Sequence, residues 1–159
     1  MIVSNTSPLI ALAKADALPL LKMLFGEVKI PSAVQRELLA KSGVEANRLD
    51  AALADFVTVV ACPHTPVEVE EATKHIGAGE QQAIILAHAL GAVLLMDERI
   101  GRKVARDLHV SVTGVVGVVI KASQAGLIPQ ALPLITQMRR NGYWLADGLL
   151  EIAAKLDDQ

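Results

Sequence analysis

Short apolar runs alternate with longer stretches of helical period along this chain, a pattern that predicts βαβ units and a parallel sheet. Ile2-Val3-Ser4 reads as a buried strand. Ser7 and Pro8 read as a helix N-cap and a proline at the first helical position; Leu9, Ile10, Leu12 and Ala13 form that helix's apolar face. Asp16 is expected to cap a second short helix that runs through Phe25 and ends at Gly26. Val28 and Ile30 mark a second strand. Pro31 and Ser32 open the next helix, with Val34, Leu38 and Leu39 on its buried side. Residues 45–56 have an amphipathic period, and residues 57–61 are rich in β-branched side chains, as a third strand would be. The segment 62–76 has the weakest pattern, with a polar helix expected over 67–75. Gly79-Glu80 opens the most regular helix, carrying Ala83, Ile84, Leu86, Ala87 and Leu90 and stopped by Gly91. Residues 93–96 and 110–112 are the fourth and fifth strands, with a helix to about Leu108 between them. An apolar helix after Thr113-Gly114 ends at Gly126, and two closing helices cover 129–141 and 147–156.

Composition narrows this picture. The 159 residues suit one domain, expected to span 1–159 with the helices from about 129 packed onto it. Hydrophobic residues are 52% and charged ones 20%, which excludes a disordered chain. Aromatics are only 3%, so the core must be aliphatic, and a surface row of stacked bases is disfavoured. A single cysteine excludes a disulfide framework and a cysteine-cluster zinc site. No basic start precedes an apolar run and no span-length greasy stretch occurs; the expectation is a cytoplasmic protein with no membrane segment. Net charge is -2, from 15 basic and 17 acidic residues, which argues against coating nucleic acid by bulk electrostatics.

The arrangement of those charges is more informative than their sum. Asn5 ends strand one, and Glu37 lies about two turns into the helix after strand two. Glu80 starts the helix before strand four, and Asp97 ends strand four with Glu98 beside it. Ligands of open parallel sheets bind beyond the carboxyl ends of the strands. If strand four neighbours strand one, these groups converge, and several carboxylates in one cleft call for a cation. Oxygen donors of this kind suit Mg²⁺ or Mn²⁺, which can activate water for phosphodiester hydrolysis. Acids at strand ends are also common surface residues, and spacing alone leaves both readings open. Arg99, Arg102, Lys103 and Arg106 follow at i, i+3, i+4 and i+7, one helix face opposite Ile100, Val104 and Leu108. Such a stripe either holds phosphates or is a solvated face.

Four segments carry a family resemblance: IVSNTSPLIALAK, LFGEVKIPSAVQRELL, GAGEQQAIILAHALGAVLLMDERIGRKVA and VTGVVGVVIKASQAGLIP. In this order they resemble the PIN-domain-like proteins, most closely a branch of small stand-alone prokaryotic members often grouped with toxin ribonucleases. The resemblance runs from Ile2 to Leu150. It implies a three-layer α/β/α sandwich on a parallel sheet of order 3-2-1-4-5. It also implies an acidic site that binds Mg²⁺ or Mn²⁺ and cleaves single-stranded RNA. The family's first acid, an aspartate, is matched by Asn5; the second, third and fourth match Glu37, Glu80 and Asp97, with Glu98 as a helper. Thr6 and Ser7 match the polar residues after the first acid, and Thr113 falls where relatives carry a polar or acidic group. Asn5 brings an amide oxygen without charge, a departure expected to weaken metal binding and water activation.

The expectation is therefore a metal-dependent endoribonuclease, in the setting of a toxin with a small antitoxin partner. Asn5, Glu37, Glu80 and Asp97 form its catalytic and metal set with Glu98. Thr6, Ser7, Arg99, Arg102, Lys103, Arg106 and Thr113 meet the substrate. The alternative is a catalytically weakened module that binds RNA or a protein, which Asn5 favours. A nucleotide-binding domain fits less well, because no glycine-rich phosphate loop follows strand one. The apolar composition predicts a homodimer. The four histidines share no metal spacing, and Gly77-Ala78-Gly79 reads as a turn into a helix. Cys62 is expected to pack at a strand end, and Tyr143-Trp144 against the final helix or a partner.

Overall fold

A computed structural model describes residues 1–159. Five parallel strands form one sheet in the order β3-β2-β1-β4-β5: β1 Ile2–Ser4, β2 Val28–Ile30, β3 Val57–Val59, β4 Val93–Leu95 and β5 Val112–Thr113. Ile2 pairs with Val28 on one side and Val93 on the other, and Ser4 pairs with Leu95. The helices are α1 Thr6–Lys14, α2 Pro19–Phe25, α3 Ser32–Leu39, α4 Val44–Leu53 and α5 Val67–Thr73. They continue as α6 Ala78–Leu90, α7 Arg99–Asp107, α8 Val115–Gln124, α9 Leu132–Arg140 and α10 Asp147–Asp157. No helix is long and apolar enough to cross a membrane.

Alternation along the strands separates two cores. Ile2 and Leu95 join the larger, with side chains of α1, α2, α8, α9 and α10; Val3 and Leu94 point the other way, into a smaller core under α6 and α7. This is the three-layer α/β/α arrangement, with helices on both faces of a parallel sheet. Both cores are aliphatic, Phe56 being the only buried aromatic side chain. The C-terminal helices belong to the larger core through Ile135, Met138 and Ala153, all fully buried. They are also fastened to each other, because both Asp157 carboxylate oxygens accept backbone N–H groups at the start of α9, from Ala131 and Leu132 (2.8 Å each). Those donors have no intrahelical acceptor, so the carboxylate satisfies the helix end.

Several local expectations are corrected. Asn5, not Ser7, occupies the N-cap of α1, so Pro8 sits further into the first turn. Asp16 lies at φ 54 in the turn after α1, and the N-cap of α2 is Leu18. Leu39 is exposed at the last residue of α3, beyond the reach of the core. Ile100 is exposed too: the buried residues of α7 are Gly101, Val104 and Ala105, and Ile100 faces away from them into the hollow shared with Glu80 and Glu98. Strand β5 begins at Val112, two residues later than the apolar run, since His109 turns at φ 61 and Val110 fills the smaller core. Helix α4 ends at Leu53 and leaves Phe56 to plug the turn into β3. Helix α9 starts at Leu132 rather than near 129. Gly91 ends α6 in the left-handed region at φ 60, ψ 31, as its position predicted.

Candidate active site at the carboxyl end of the sheet

The carboxyl ends of β1 and β4 lie side by side at the centre of the sheet, because Ser4 pairs with Leu95 and Asn5 N–H donates to Leu95 O (3.0 Å). Asn5 therefore stands just beyond the central strand, as the N-cap of α1. Its side chain makes no capping bond, and its Oδ1 is buried without any hydrogen-bond partner. It is the only such buried side-chain oxygen or nitrogen in the protein. A buried acceptor left unpaired costs about 1–3 kcal/mol, so the position is not optimised for stability.

Thr6, the next residue, is buried, and its hydroxyl donates to Glu37 Oε2 (2.5 Å). The hydroxyl is spent inside the protein, and the expected role of Thr6 toward substrate becomes that of holding Glu37. The other oxygen of Glu37 lies against the first turn of α6, where a Cβ on Gly79 would stand 2.5 Å from Oε1. Only glycine admits the carboxylate there. A bond from Ala33 N–H to Gln82 Oε1 (3.0 Å) ties α3 to α6 and holds this approach in place. Thr6, Glu37 and Gly79 thus form one cluster from three elements, with Asn5 next to Thr6 in sequence.

Glu80 is half-buried and folds back onto Gly77, the N-cap of α6, in close contact with it. It faces a separate hollow of about 300 Å³, shared with His75, Ile76, Gly77, Glu98 and Ile100. Glu98 is the N-cap of α7, its two oxygens accepting from Ile100 N–H (3.0 Å) and Gly101 N–H (2.5 Å). Both oxygens satisfy a helix end, which is a structural use of this residue.

Asp97 opens onto a second hollow, of about 440 Å³, with Arg102, Thr113 and Gly114 around it. It is the most constrained of the acids. Val115 N–H, at the start of α8, donates to Oδ1 (3.3 Å) and Oδ2 (3.2 Å), and Tyr143 Oη–H donates to Oδ2 (2.5 Å). A helix N-terminus favours an anion here. Gly114 leaves room for the carboxylate, which a Cβ would strike. Burial first, then the charge and hydrogen bond of Asp97, push the Tyr143 phenol far above its usual range, so it stays a donor. The sequence singled out Tyr143 only as a packing or partner residue, not as part of the site; it comes from the turn between α9 and α10. Its neighbour Trp144 is 83% exposed, so the pair divides: Tyr143 packs against the larger core and reaches Asp97, while Trp144 stays on the surface.

The basic stripe of α7 also divides. Arg99 and Arg106 are exposed, and Lys103 pairs with Asp107 on the open face (2.9 Å). Arg102 is half-buried and donates from Nη1 to Met96 O (2.8 Å). Ser7 is exposed on α1, and Thr113 ends β5 beside Asp97. Cys62 is exposed beyond β3, its thiol 3.6 Å from Gln82 O, and burial of the sulfur pushes its pKa up.

The expected single cleft is therefore divided: Glu80 and Glu98 line one hollow, Asp97 and Thr113 another, and Asn5 and Glu37 line neither. No three histidine, cysteine, aspartate or glutamate side chains converge as a metal-holding group. The donor set nevertheless fits a hard divalent cation in kind: carboxylate oxygens on neighbouring elements, and a buried amide oxygen with no donor.

A family model described as DUF3368: PIN domain matches residues 1–158. Among solved structures, the chain is similar to a PilT N-terminus domain protein from the hyperthermophilic archaeon Sulfolobus solfataricus P2. The two are 20% identical with a TM-score of 0.52, over 74% of this chain and 90% of that one. That likeness bears on the fold. No curated protein matches the chain.

Proposed function

The chain belongs to the PIN-domain family, a family of nuclease-like modules, and from that premise we propose that it is an endoribonuclease that cleaves single-stranded RNA with Mg²⁺ or Mn²⁺. The observation that carries the proposal is the buried, unpartnered Oδ1 of Asn5 at the carboxyl end of the central strand. An acceptor buried and unpaired at the N-cap of α1, one residue from the Thr6 that anchors Glu37, suits a cation and its water better than it suits folding. Asn5, Glu37, Glu80 and Asp97 would hold the ion, with Glu80 turning in from its separate hollow beside Gly77; Glu98, which lines that same hollow and caps α7, is left as the helper.

Such an ion would supply, when bound, an activated water and neutralisation of charge on the phosphate oxygens. The chain's own residues do the rest. Thr6 fixes the rotamer of Glu37, and Gly79 leaves the space into which its second oxygen reaches. Val115 N–H and Tyr143 Oη–H hold Asp97 against the start of α8, so it does not swing into solvent. Positioning of this kind lowers the reorganisation needed during reaction. In the same proposal the protein acts in the cytoplasm as the toxin of a toxin–antitoxin pair, held by a small antitoxin protein, and forms a homodimer. The exposed Trp144 supports a protein partner.

A fluorogenic single-stranded RNA tests the reading. Cleavage is expected with Mn²⁺ and is lost on addition of EDTA. Chelator-insensitive cleavage, or none in wild type and Asn5→Asp alike, overturns it. The missing charge at Asn5 favours a second reading, a weakened module that binds RNA without cutting it; retained RNA binding with no turnover in either protein would select that one.

Gly79→Ala gives a sharper local test. A helical Gly→Ala change ordinarily stabilises by up to about 1 kcal/mol. Here the new Cβ displaces the Glu37 carboxylate and breaks its bond from the buried Thr6 hydroxyl, so thermal stability is expected to fall by about 1 kcal/mol despite the gain in helix propensity. Cleavage is expected to fall by roughly 10-fold or more, because Glu37 loses its place beside Thr6. Thermal melts and initial rates on the same samples separate the two effects.

A further inference from the structure

We propose that the hollow between β5, α7, α8 and α10 is a nucleotide subsite, with the phosphate on Arg102 and the ribose and base against Ile120, Leu149 and Ile152. At about 440 Å³ it has the size of a small-ligand site. Its polar end is formed by Asp97, Arg102 and Thr113, and its walls by aliphatic side chains. Arg102 is the strongest pointer. Its guanidinium is half-buried and always charged, yet it forms no ion pair, although Asp97 lines the same hollow. One bond, from Nη1 to Met96 O, is all that it makes within the protein. The remaining N–H donors of the fork are left for a ligand, and a planar fork matches phosphate.

The surroundings agree. Asp97 would repel an anion, but its oxygens already accept from Val115 N–H and Tyr143 Oη–H. The Thr113 hydroxyl makes one long bond, donating to Gly114 O (3.5 Å), and has its space because Gly117 has no side chain; a Cβ there would stand 2.6 Å from Oγ1. The other cations of α7 do not serve this space: Lys103 pairs with Asp107, and neither Arg99 nor Arg106 lines the hollow. An uncharged apolar ligand would leave Arg102 unanswered, and a bare anion would leave the aliphatic walls wet. A nucleotide answers both. The identity of the ligand rests on the nuclease reading above; the existence of the subsite rests on the hollow itself.

Titration of ¹⁵N-labelled protein without metal, using adenosine 5′-monophosphate, adenosine and inorganic phosphate, tests the proposal. Amide shifts are expected at Thr113, Gly114, Gly117 and Ile152, with the nucleotide bound roughly 10-fold more tightly than either half. Ile152→Glu, at the half-exposed rim, and Arg102→Gln are each expected to weaken it by roughly 5-fold or more. Ile152→Glu guards against loss of fold, since Arg102 also ties to Met96 O. Shifts centred on Gly77 and Glu80, phosphate binding as tightly as the nucleotide, or variants within about two-fold of wild type overturn the subsite. RNA cleavage on the same samples keeps the two readings apart. Absent cleavage with these shifts intact removes the nuclease and keeps the subsite. Robust cleavage with KM unchanged in Ile152→Glu removes the subsite and keeps the nuclease.

Discussion

Replacing Asp97 by alanine is expected to lower RNA cleavage by roughly 100-fold or more and to destabilise the protein by about 3 kcal/mol. The two losses have one origin. The carboxylate faces the hollow beside the proposed ion and also accepts from Val115 N–H and Tyr143 Oη–H. Alanine removes the charge from the site and strands both donors, one at the start of α8 and one on a phenol buried enough to be held protonated. Tyr143→Phe separates the contributions. It keeps the carboxylate and loses one charge-assisted bond, worth about 1.5–3 kcal/mol. Its stability should therefore approach that of Asp97→Ala while its cleavage stays well above it. Denaturant melts and initial rates on the three proteins decide the matter. Equal Mn²⁺ affinity by calorimetry in wild type and Asp97→Ala would remove Asp97 from the metal set.

Asn5→Asp is expected to act in the opposite sense on function. In EDTA near neutral pH, the introduced carboxylate would be buried where the amide oxygen now has no partner, at a cost of several kcal/mol. Burial raises the folded-state pKa of that carboxyl above the unfolded value of about 3.9. Below about pH 3.9 both states are protonated, and the variant should lie closest to wild type. The penalty should grow as pH rises from there through the raised folded value. Saturating Mn²⁺ should recover more stability in the variant than in wild type, by about 2.7 kcal/mol at 100 times the dissociation constant if only the variant binds strongly. Cleavage should rise with it. Thermal melts across pH, with and without Mn²⁺, provide the measurement; a variant indifferent to Mn²⁺ would count against a cation beside Asn5.

The two repeating patterns were readable because they are local. Two-residue alternation in Ile2-Val3 and Leu94-Leu95 distributes those side chains between the two cores, and the regular period of α6 places Ala83, Ile84, Leu86 and Ala87 inside. The strand order came from the family resemblance, since periodicity says nothing of which strands are neighbours. Helix ends were the weak point. Asn5, Glu80 and Glu98 all sit in first turns or caps, where a side chain has a choice between its own backbone and a ligand. Spacing shows that each such residue lies at the carboxyl end of a strand or in the first turn of a helix, but not which choice each makes. Arg102 and Lys103 are adjacent on one stripe, yet one turns toward the sheet end and the other pairs in solvent. Tyr143 reaches Asp97 across 46 residues, a contact for which no local pattern exists.

The central place of β1 has a consequence for how the protein is made. Its three residues are all fully buried, and it depends on a strand from each side. Strand β2 is synthesised soon afterward, but Leu95 follows its partner Ser4 by about ninety residues. At about 5–20 residues per second, one edge of the most apolar strand pair waits several seconds on the ribosome for its neighbour. The proposed site is assembled from that same seam, by Asn5 and Asp97 together. A nascent chain thus cannot complete it until α6 and β4 have emerged, and Asp97 gains its Tyr143 bond only after α9 has followed.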